Sequence, residues 1–230
     1  MTRYLIVVAH PDDEVLGAGG TIYKLSHTGD KFDLAIMCSN VEARGNKPKE
    51  NELEKNIAKS KKLLGIDNIY QENFPNIKMN TISHLNLVQF IESVIINSKP
   101  DIIITHHPSD VNNDHYQTSI ACQAAIRLFQ RRNNIKPITE LWYMEVPSAT
   151  DWDINSSTQK FTPNVFVEIE KNGIKQKIKA LQAYKGVIRK YPHPRSIENL
   201  SGLATYRGAQ SGVMYAEAFE SVFRRVAPHN

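Results

Sequence analysis

The stretch that most restricts what this chain can become is residues 4–20, YLIVVAHPDDEVLGAGG. Tyr4, Leu5, Ile6, Val7, Val8 and Ala9 form an unbroken apolar run bounded by polar residues. That pattern suits a central strand buried on both faces of a parallel sheet. Directly behind it stand His10, Pro11, Asp12, Asp13 and Glu14. These are four ionisable groups at the carboxyl end of a buried strand, where open α/β sheets place their ligands. Charge in that position is unfavourable unless something binds it.

An imidazole and a carboxylate three residues apart can converge on one ion if the chain turns between them, and Pro11 favours a turn. Zinc takes nitrogen and oxygen donors, and a catalytic zinc site commonly has three protein ligands with a fourth position open to water. His10 and Asp13 supply two, so a third must come from elsewhere. Asp12, between them and pointing elsewhere, is placed to take a proton from the activated water. The competing reading is that His10 ends the strand and the acids open a helix, where carboxylates meet the positive end of the dipole. A Pro-Asp-Asp-Glu run after both a core strand and a histidine is more specific to a metal site than either signal separately.

The segment AHPDDEVLGAGGTI resembles the signature of the LmbE-like, or PIG-L, family of zinc-dependent N-acetylglucosaminyl deacetylases. The resemblance implies that His10 and Asp13 bind zinc and that Asp12 is the general base, the roles that the residues themselves suggest. Gly17, Gly19 and Gly20 invite a nucleotide-binding reading, but Ile22 stands where the third glycine of GxGxxG would fall. Negative charge also occupies the place of a pyrophosphate. Small residues here suit close packing of the helix on the sheet.

With 230 residues and 41% hydrophobic content the chain can bury a sizeable core, and one domain over 1–230 suffices. The net charge of +4 is modest and scattered, unlike a nucleic-acid footprint. Lys59, Lys61 and Lys62 read as the solvated face of a helix. Cys38 and Cys122 are widely separated, belong to no zinc spacing and read as small buried residues. No apolar stretch approaches the ~20 residues needed to span a bilayer, and no signal core precedes the first strand. The expectation is a cytoplasmic protein without membrane insertion.

Along the chain, apolar spacing predicts helices over 15–27, 50–64, 83–97, 116–131 and 171–189, and strands over 32–38, 69–74, 102–105, 141–146 and 164–169. Alternation of the two makes a Rossmann-like α/β sandwich with a mostly parallel central sheet and the metal site at the carboxyl ends of the strands. The strand at 102–105 delivers a second polar cluster, His106 to His115. His115 corresponds to the last histidine of the family's HPDH-like motif and is the first choice for third ligand. His106 and His107 compete for it. Asp114 is a candidate catalytic group that could orient a ring or hold a histidine protonated. Asn112 stands where many relatives carry histidine; it can donate hydrogen bonds to substrate but is no ordinary acid.

Arg44 in the loop 39–49 is a candidate substrate contact by resemblance, and a solvated arginine otherwise. Asn76 occupies a position where the family usually has aspartate. Trp152 could wall a sugar pocket or simply pack. Near the end of the chain, Tyr191-Pro192-His193-Pro194-Arg195-Ser196 holds His193 on a rigid loop, because two prolines bracket it. This segment, with Arg207-Gly208 and residues 215–219, resembles the C-terminal region of bacterial PIG-L-type deacetylases. His193 is the candidate oxyanion donor, and Arg195 a substrate contact.

The expected function is hydrolysis of a linear amide, removing acetyl from an N-acetylglucosamine-type sugar or conjugate. Zn2+ is the expected cofactor, although another divalent metal suits the same donors. The partner would be a small amino-sugar molecule, and homo-oligomers follow from family habit alone. An amidase for a sugar-thiol or other conjugate, and a non-catalytic Rossmann-like binding module, are the alternatives.

Overall fold

The computed structural model describes residues 1–39, 50–154 and 159–226. Seven strands form one sheet in the order β3-β2-β1-β4-β5-β7-β6. In chain order they are β1 (Arg3–Val8), β2 (Lys31–Ile36), β3 (Asn68–Gln71), β4 (Ile102–His106), β5 (Glu140–Met144), β6 (Val165–Glu168) and β7 (Ala216–Arg224). The first five are mutually parallel, whereas β7 runs antiparallel to both β5 and β6.

Alternate residues of β1 divide the core. Tyr4, Ile6 and Val8 pack beneath α1 (Asp13–His27), α2 (Glu50–Leu64), α5 (Glu170–Leu181) and α6 (Ile197–Ser211). Leu5, Val7 and Ala9 face α3 (His84–Ser98) and α4 (Asn113–Ala125). The result is a three-layer α/β/α sandwich whose central strand is apolar on both faces, as its sequence requires. From β1 the chain winds outward to β2 and β3, then returns to place β4 on the other side of β1. The gap between β1 and β4 is therefore the topological switch point, where the loops after the two strands part and leave a crevice.

The helices begin and end within a few residues of their predicted bounds, with two differences. The predicted helix over 116–131 is α to Ala125 and continues as a 3-10 turn, Ile126–Gln130. The predicted helix over 171–189 stops at Leu181. Both α6 and β7 escape the sequence reading. In α6, apolar residues are sparse and only Leu200, Ala204 and Gly208 are buried. In β7 Phe219 is the one large residue in the core, Ala216 and Ala218 are small, and the buried Glu217 and Glu220 read as surface charge.

The glycines of α1 serve packing. A Cβ on Gly17 would lie 2.3 Å from Met144 Sδ, and one on Gly20 would lie 2.7 Å from Ile169 Cδ1 and 3.2 Å from its Cβ. Gly20 and Thr21 also donate backbone N–H bonds to Glu217 at 3.0 and 2.7 Å. Lys177 Nζ neutralises that carboxylate at 2.6 Å. Helix α1 is thus clamped from behind by a buried ion pair. Replacing Gly20 with Ala should overpack this contact and cost about 1–3 kcal/mol. Urea unfolding should show a lowered midpoint at unchanged slope; an unchanged midpoint would mean that Ile169 yields freely.

Candidate metal centre and active-site cleft

The loop after β1 turns tightly. Asp12 adopts φ 99° and ψ −24°, a left-handed conformation that costs a non-glycine residue about 1–3 kcal/mol. Its carbonyl accepts from the N–H groups of Val15 and Leu16, so it caps α1. Asp13 and Glu14 occupy the first turn of that helix. The two readings of the acidic run are therefore compatible. The acids do open a helix, and the same turn aims Asp13 at a cluster of histidines.

Asp13 is buried, and its Oδ2 is the focus of the site. The His10 backbone N–H donates to it at 2.9 Å. His10 Nδ1 lies 3.3 Å away and His115 Nε2 3.2 Å away. Each ring is held from its far side by a further carboxylate. Asp114 Oδ2 lies 3.0 Å from His10 Nε2, and Asp110 Oδ2 lies 2.9 Å from His115 Nδ1. Carboxylates in this outer position fix the ring and its tautomer, leaving the inner nitrogen to face an ion. His115 Nε2 is buried without a hydrogen-bond partner. A lone inner nitrogen facing a carboxylate oxygen fits a cation between them. His10, Asp13 and His115 can each offer one donor atom within a single coordination sphere.

The charges of this cluster are mutually dependent. Burial drives the Asp13 carboxyl upward, but His115, His10 and His106 outweigh it and hold it well below the usual carboxylate range. Burial disfavours protonated His10, and the Asp114 and Asp13 hydrogen bonds reverse this, raising it well above an ordinary histidine. In His115, burial lowers the pKa but Asp13 and then Asp110 raise it to about 9.

His106 and His107 do other work. His106 Nε2 accepts the Ala9 backbone N–H at 2.9 Å, and its ring stacks on His115 at 3.8 Å between centroids. Burial first, and His115 second, lower its pKa well below the ordinary value, so it stays neutral. His107 points the opposite way, with Ser109 Oγ at 2.7 Å from Nδ1 and Glu220 at 3.4 Å from Nε2.

His10, Asp12, Asp13, Asn76, Ile77, Asn112, His115 and Arg195 line one cleft of about 210 Å³. Asn112 Oδ1 caps α4 by accepting the Asp114 N–H at 2.9 Å. Arg195 reaches the cleft from the loop preceding α6, its Nε donating to Ser148 Oγ at 2.6 Å. His193 does not line the cleft. It is exposed, and its Nδ1 accepts the Arg195 N–H at 3.0 Å. Its pKa is lowered by what burial it has and by Arg195 and Arg189. Trp152, 56% exposed, lines a separate open groove with Val111 and Tyr116. Arg44 lies outside the described residues.

Three participants carry no assignment in the sequence reading. Asp110 is one; its Oδ1 accepts the Asn112 N–H at 2.9 Å, so an Asx turn brings it under His115 five residues on. Ile77, with φ 60°, enters the cleft because Asp114 accepts the N–H groups of Ile77 and Met79 at 2.6 and 3.0 Å. Glu14 is the third, fully buried behind Asp12. An acid in an Asx position before a ligand histidine is a usable signal for the first. No local pattern announces the other two.

Comparison with known proteins places this geometry in context. An Escherichia coli K12 protein named "Uncharacterized deacetylase YaiS" is 24% identical over 189 residues, covering 79% of this chain and 89% of the relative. Among solved structures, the N,N'-diacetylchitobiose deacetylase of Pyrococcus horikoshii superimposes with a TM-score of 0.77 at 19% identity, covering 96% of this chain and 84% of the other. GalB, the 4-carboxy-2-hydroxymuconate hydratase of Pseudomonas putida KT2440, also reaches 0.77, at 20% identity and full coverage of both chains. At such identities the two structures establish a shared fold. Residues 5–126, more than half of the chain and running from within β1 to the end of α4, match the family described as PIG-L, GlcNAc-PI de-N-acetylase, and the chain belongs to that family.

Proposed function

We propose that this protein is a metal-dependent hydrolase that removes acetyl from an N-acetylglucosamine-type sugar or sugar conjugate, releasing acetate and the free amine. The observation that carries the reading is the convergence of His10 Nδ1 and His115 Nε2 on Asp13 Oδ2, in a cleft that also holds Asp12. The family description and the names of the deacetylase relatives support it.

His10, Asp13 and His115 are the proposed ligands, with Zn2+ the first choice and another divalent ion compatible with the donors. When bound, the metal supplies Lewis acidity that polarises the acetyl carbonyl and acidifies a water molecule. Asp12 accepts the proton of the attacking water and can return it to the departing amine. Asp114 and Asp110 keep the two ligand rings in one tautomer and orientation. Asn112 and Arg195 supply hydrogen bonds to the bound acetyl sugar. His193 is the proposed oxyanion donor: its Nδ1 accepts the Arg195 N–H, which leaves Nε2–H to donate, and its loop must bring the ring to the cleft. Catalytic hydrogen bonds commonly tighten only with substrate present.

Acetate release from N-acetylglucosamine and a panel of its conjugates should disappear on chelation and return with Zn2+. Asp12→Asn, which keeps a side chain tolerant of left-handed backbone, should reduce kcat by about 10² to 10⁴ with the metal still bound. Loss of metal in that variant would make Asp12 a ligand. One metal per chain with no acetate from any substrate would redirect the reading to another amide.

His193→Ala should lower kcat by about 10² to 10³, the usual effect of deleting an oxyanion donor. Undiminished turnover, together with a loss in Arg195→Ala, would transfer the role to Arg195, the residue already in the cleft.

Metal uptake should also depend on pH. In the metal-free protein the folded His115 pKa of about 9 lies above the unfolded value of 6.5. Its contribution to stability is therefore complete below pH 6.5 and is lost as pH rises through about 9. Thermal melting of metal-free protein should fall across that window. Zn2+ must displace the His115 proton, so calorimetry in buffers of different ionisation enthalpy should show proton release, and affinity should rise toward pH 9. Uptake without proton release would remove His115 from the ligand set.

A further inference from the structure

Glu14 is the one buried acid of the acidic turn that neither faces the cleft nor approaches the histidines. Its side chain folds back beneath the residue two before it. Oε2 accepts the Asp12 backbone N–H at 3.0 Å. Oε1 accepts from the Tyr184 hydroxyl at 2.7 Å and from Ser60 Oγ at 3.3 Å. Tyr184 is a fully buried side chain beyond the end of α5, and Ser60 belongs to α2. The carboxylate thus links two elements of one helical layer to the backbone of one strained residue.

That backbone is where the Asp12 side chain acquires its direction. With φ 99° the turn reverses between β1 and α1, so that Asp12 and Asp13 both line the cleft although they are adjacent. Left-handed backbone at a non-glycine residue persists only where its surroundings over-determine it. An acid serving the helix dipole alone would satisfy its role from the surface, without a buried tyrosine as anchor.

We propose that Glu14 is a positioning residue for Asp12: by accepting the Asp12 N–H while anchored to Tyr184 and Ser60, it locks the left-handed turn that aims the Asp12 carboxylate into the cleft. The kinetic part of this inference rests on the deacetylase reading; the structural part does not.

The test compares Glu14→Gln, which retains an oxygen for the Asp12 N–H and an amide that can donate to the Tyr184 oxygen, with Glu14→Met, which fills the space without an acceptor. Crystal structures of the metal-loaded proteins should keep Asp12 left-handed in Glu14→Gln and release it in Glu14→Met. In acetate-release assays Glu14→Met should lose about 10²-fold in kcat, the usual effect of a misplaced reacting group, at little-changed KM and one metal per chain. Glu14→Gln should stay within about fivefold of the parent on the same scale. Tyr184→Phe removes one anchor with little risk to folding and should lose an intermediate amount of kcat.

An Asp12 backbone unchanged in Glu14→Met overturns the proposal, as does loss of metal in step with activity, which would place Glu14 in support of the ligands. If Glu14→Met does not fold, Tyr184→Phe decides, and parental kcat there overturns the proposal. If the parent itself releases no acetate, the deacetylase reading fails while the crystal structures still test the clamp.

Discussion

One carboxylate oxygen, Asp13 Oδ2, is the point on which the site depends. It receives a backbone N–H and faces imidazole nitrogens carried by the loop after β1 and by the first turn of α4, the helix that follows β4. That convergence exists because β1 and β4 are adjacent, parallel and in a defined register, Ile6 opposite Ile104. Beyond the last paired residues the ladder continues through a side chain, the Ala9 N–H donating to His106. A slip of one residue between these strands would turn His106 to the other face of the sheet and unmake the contact. Because β1 is apolar on both faces, its own pattern does not forbid such a slip; side-chain bonds along the β1–β4 pair fix the register, Asp101 accepting the Arg3 N–H and the Thr105 hydroxyl donating to the Val7 carbonyl.

The acids around this point divide the work by what holds them. Asp114 takes the outer nitrogen of His10 and also two backbone N–H groups from the segment 77–79, so one residue orients a ring and shapes a wall of the cleft. Asp110 takes the outer nitrogen of His115, the Thr150 hydroxyl at 3.0 Å and the turn that starts α4. Burial of so many carboxylates is tolerable only because each is hydrogen-bonded or opposed by positive charge. Burial, partly offset by the Tyr184 hydrogen bond and reinforced by the neighbouring Asp12 charge, pushes Glu14 up to about 7.

The residues legible in the sequence are those whose role follows from local spacing. A six-residue apolar run followed by His-Pro-Asp-Asp implies a buried strand and a turn, and both His10 and Asp13 face the same point in the structure. His115 needed the family resemblance to be preferred over His106 and His107. Strand alternation separates those two neighbours, but only the β1–β4 pairing reveals that Nε2 of His106 is taken by the Ala9 N–H. Glu217, Lys177 and the anchors of Glu14, Tyr184 and Ser60, were not legible, because these partners lie 40 or more residues apart in the chain. Long-range pairing of buried charge leaves no periodicity. The same cause hid β7, whose buried acids look like solvent-facing ones.

Neither the fold nor the proposed ligand set alone selects a reaction. A deacetylase and a hydratase superimpose equally well on this chain, so the architecture supplies a place for chemistry rather than its outcome. An activated water can be delivered to an amide carbonyl or to another electrophile. What separates these is the wall that holds the acceptor. Here that wall carries two carboxamides, Asn76 and Asn112, and the guanidinium of Arg195. Asn112 commits its oxygen to the start of α4, which leaves its amide hydrogens as the part that can face a ligand. Carboxamide and guanidinium hydrogens suit carbonyl and hydroxyl oxygens, the groups an acetylated sugar presents. The distinctive property of this site, on the proposed reading, is that charge changes are confined to Asp12 and the ligand shell while the substrate wall keeps one protonation state.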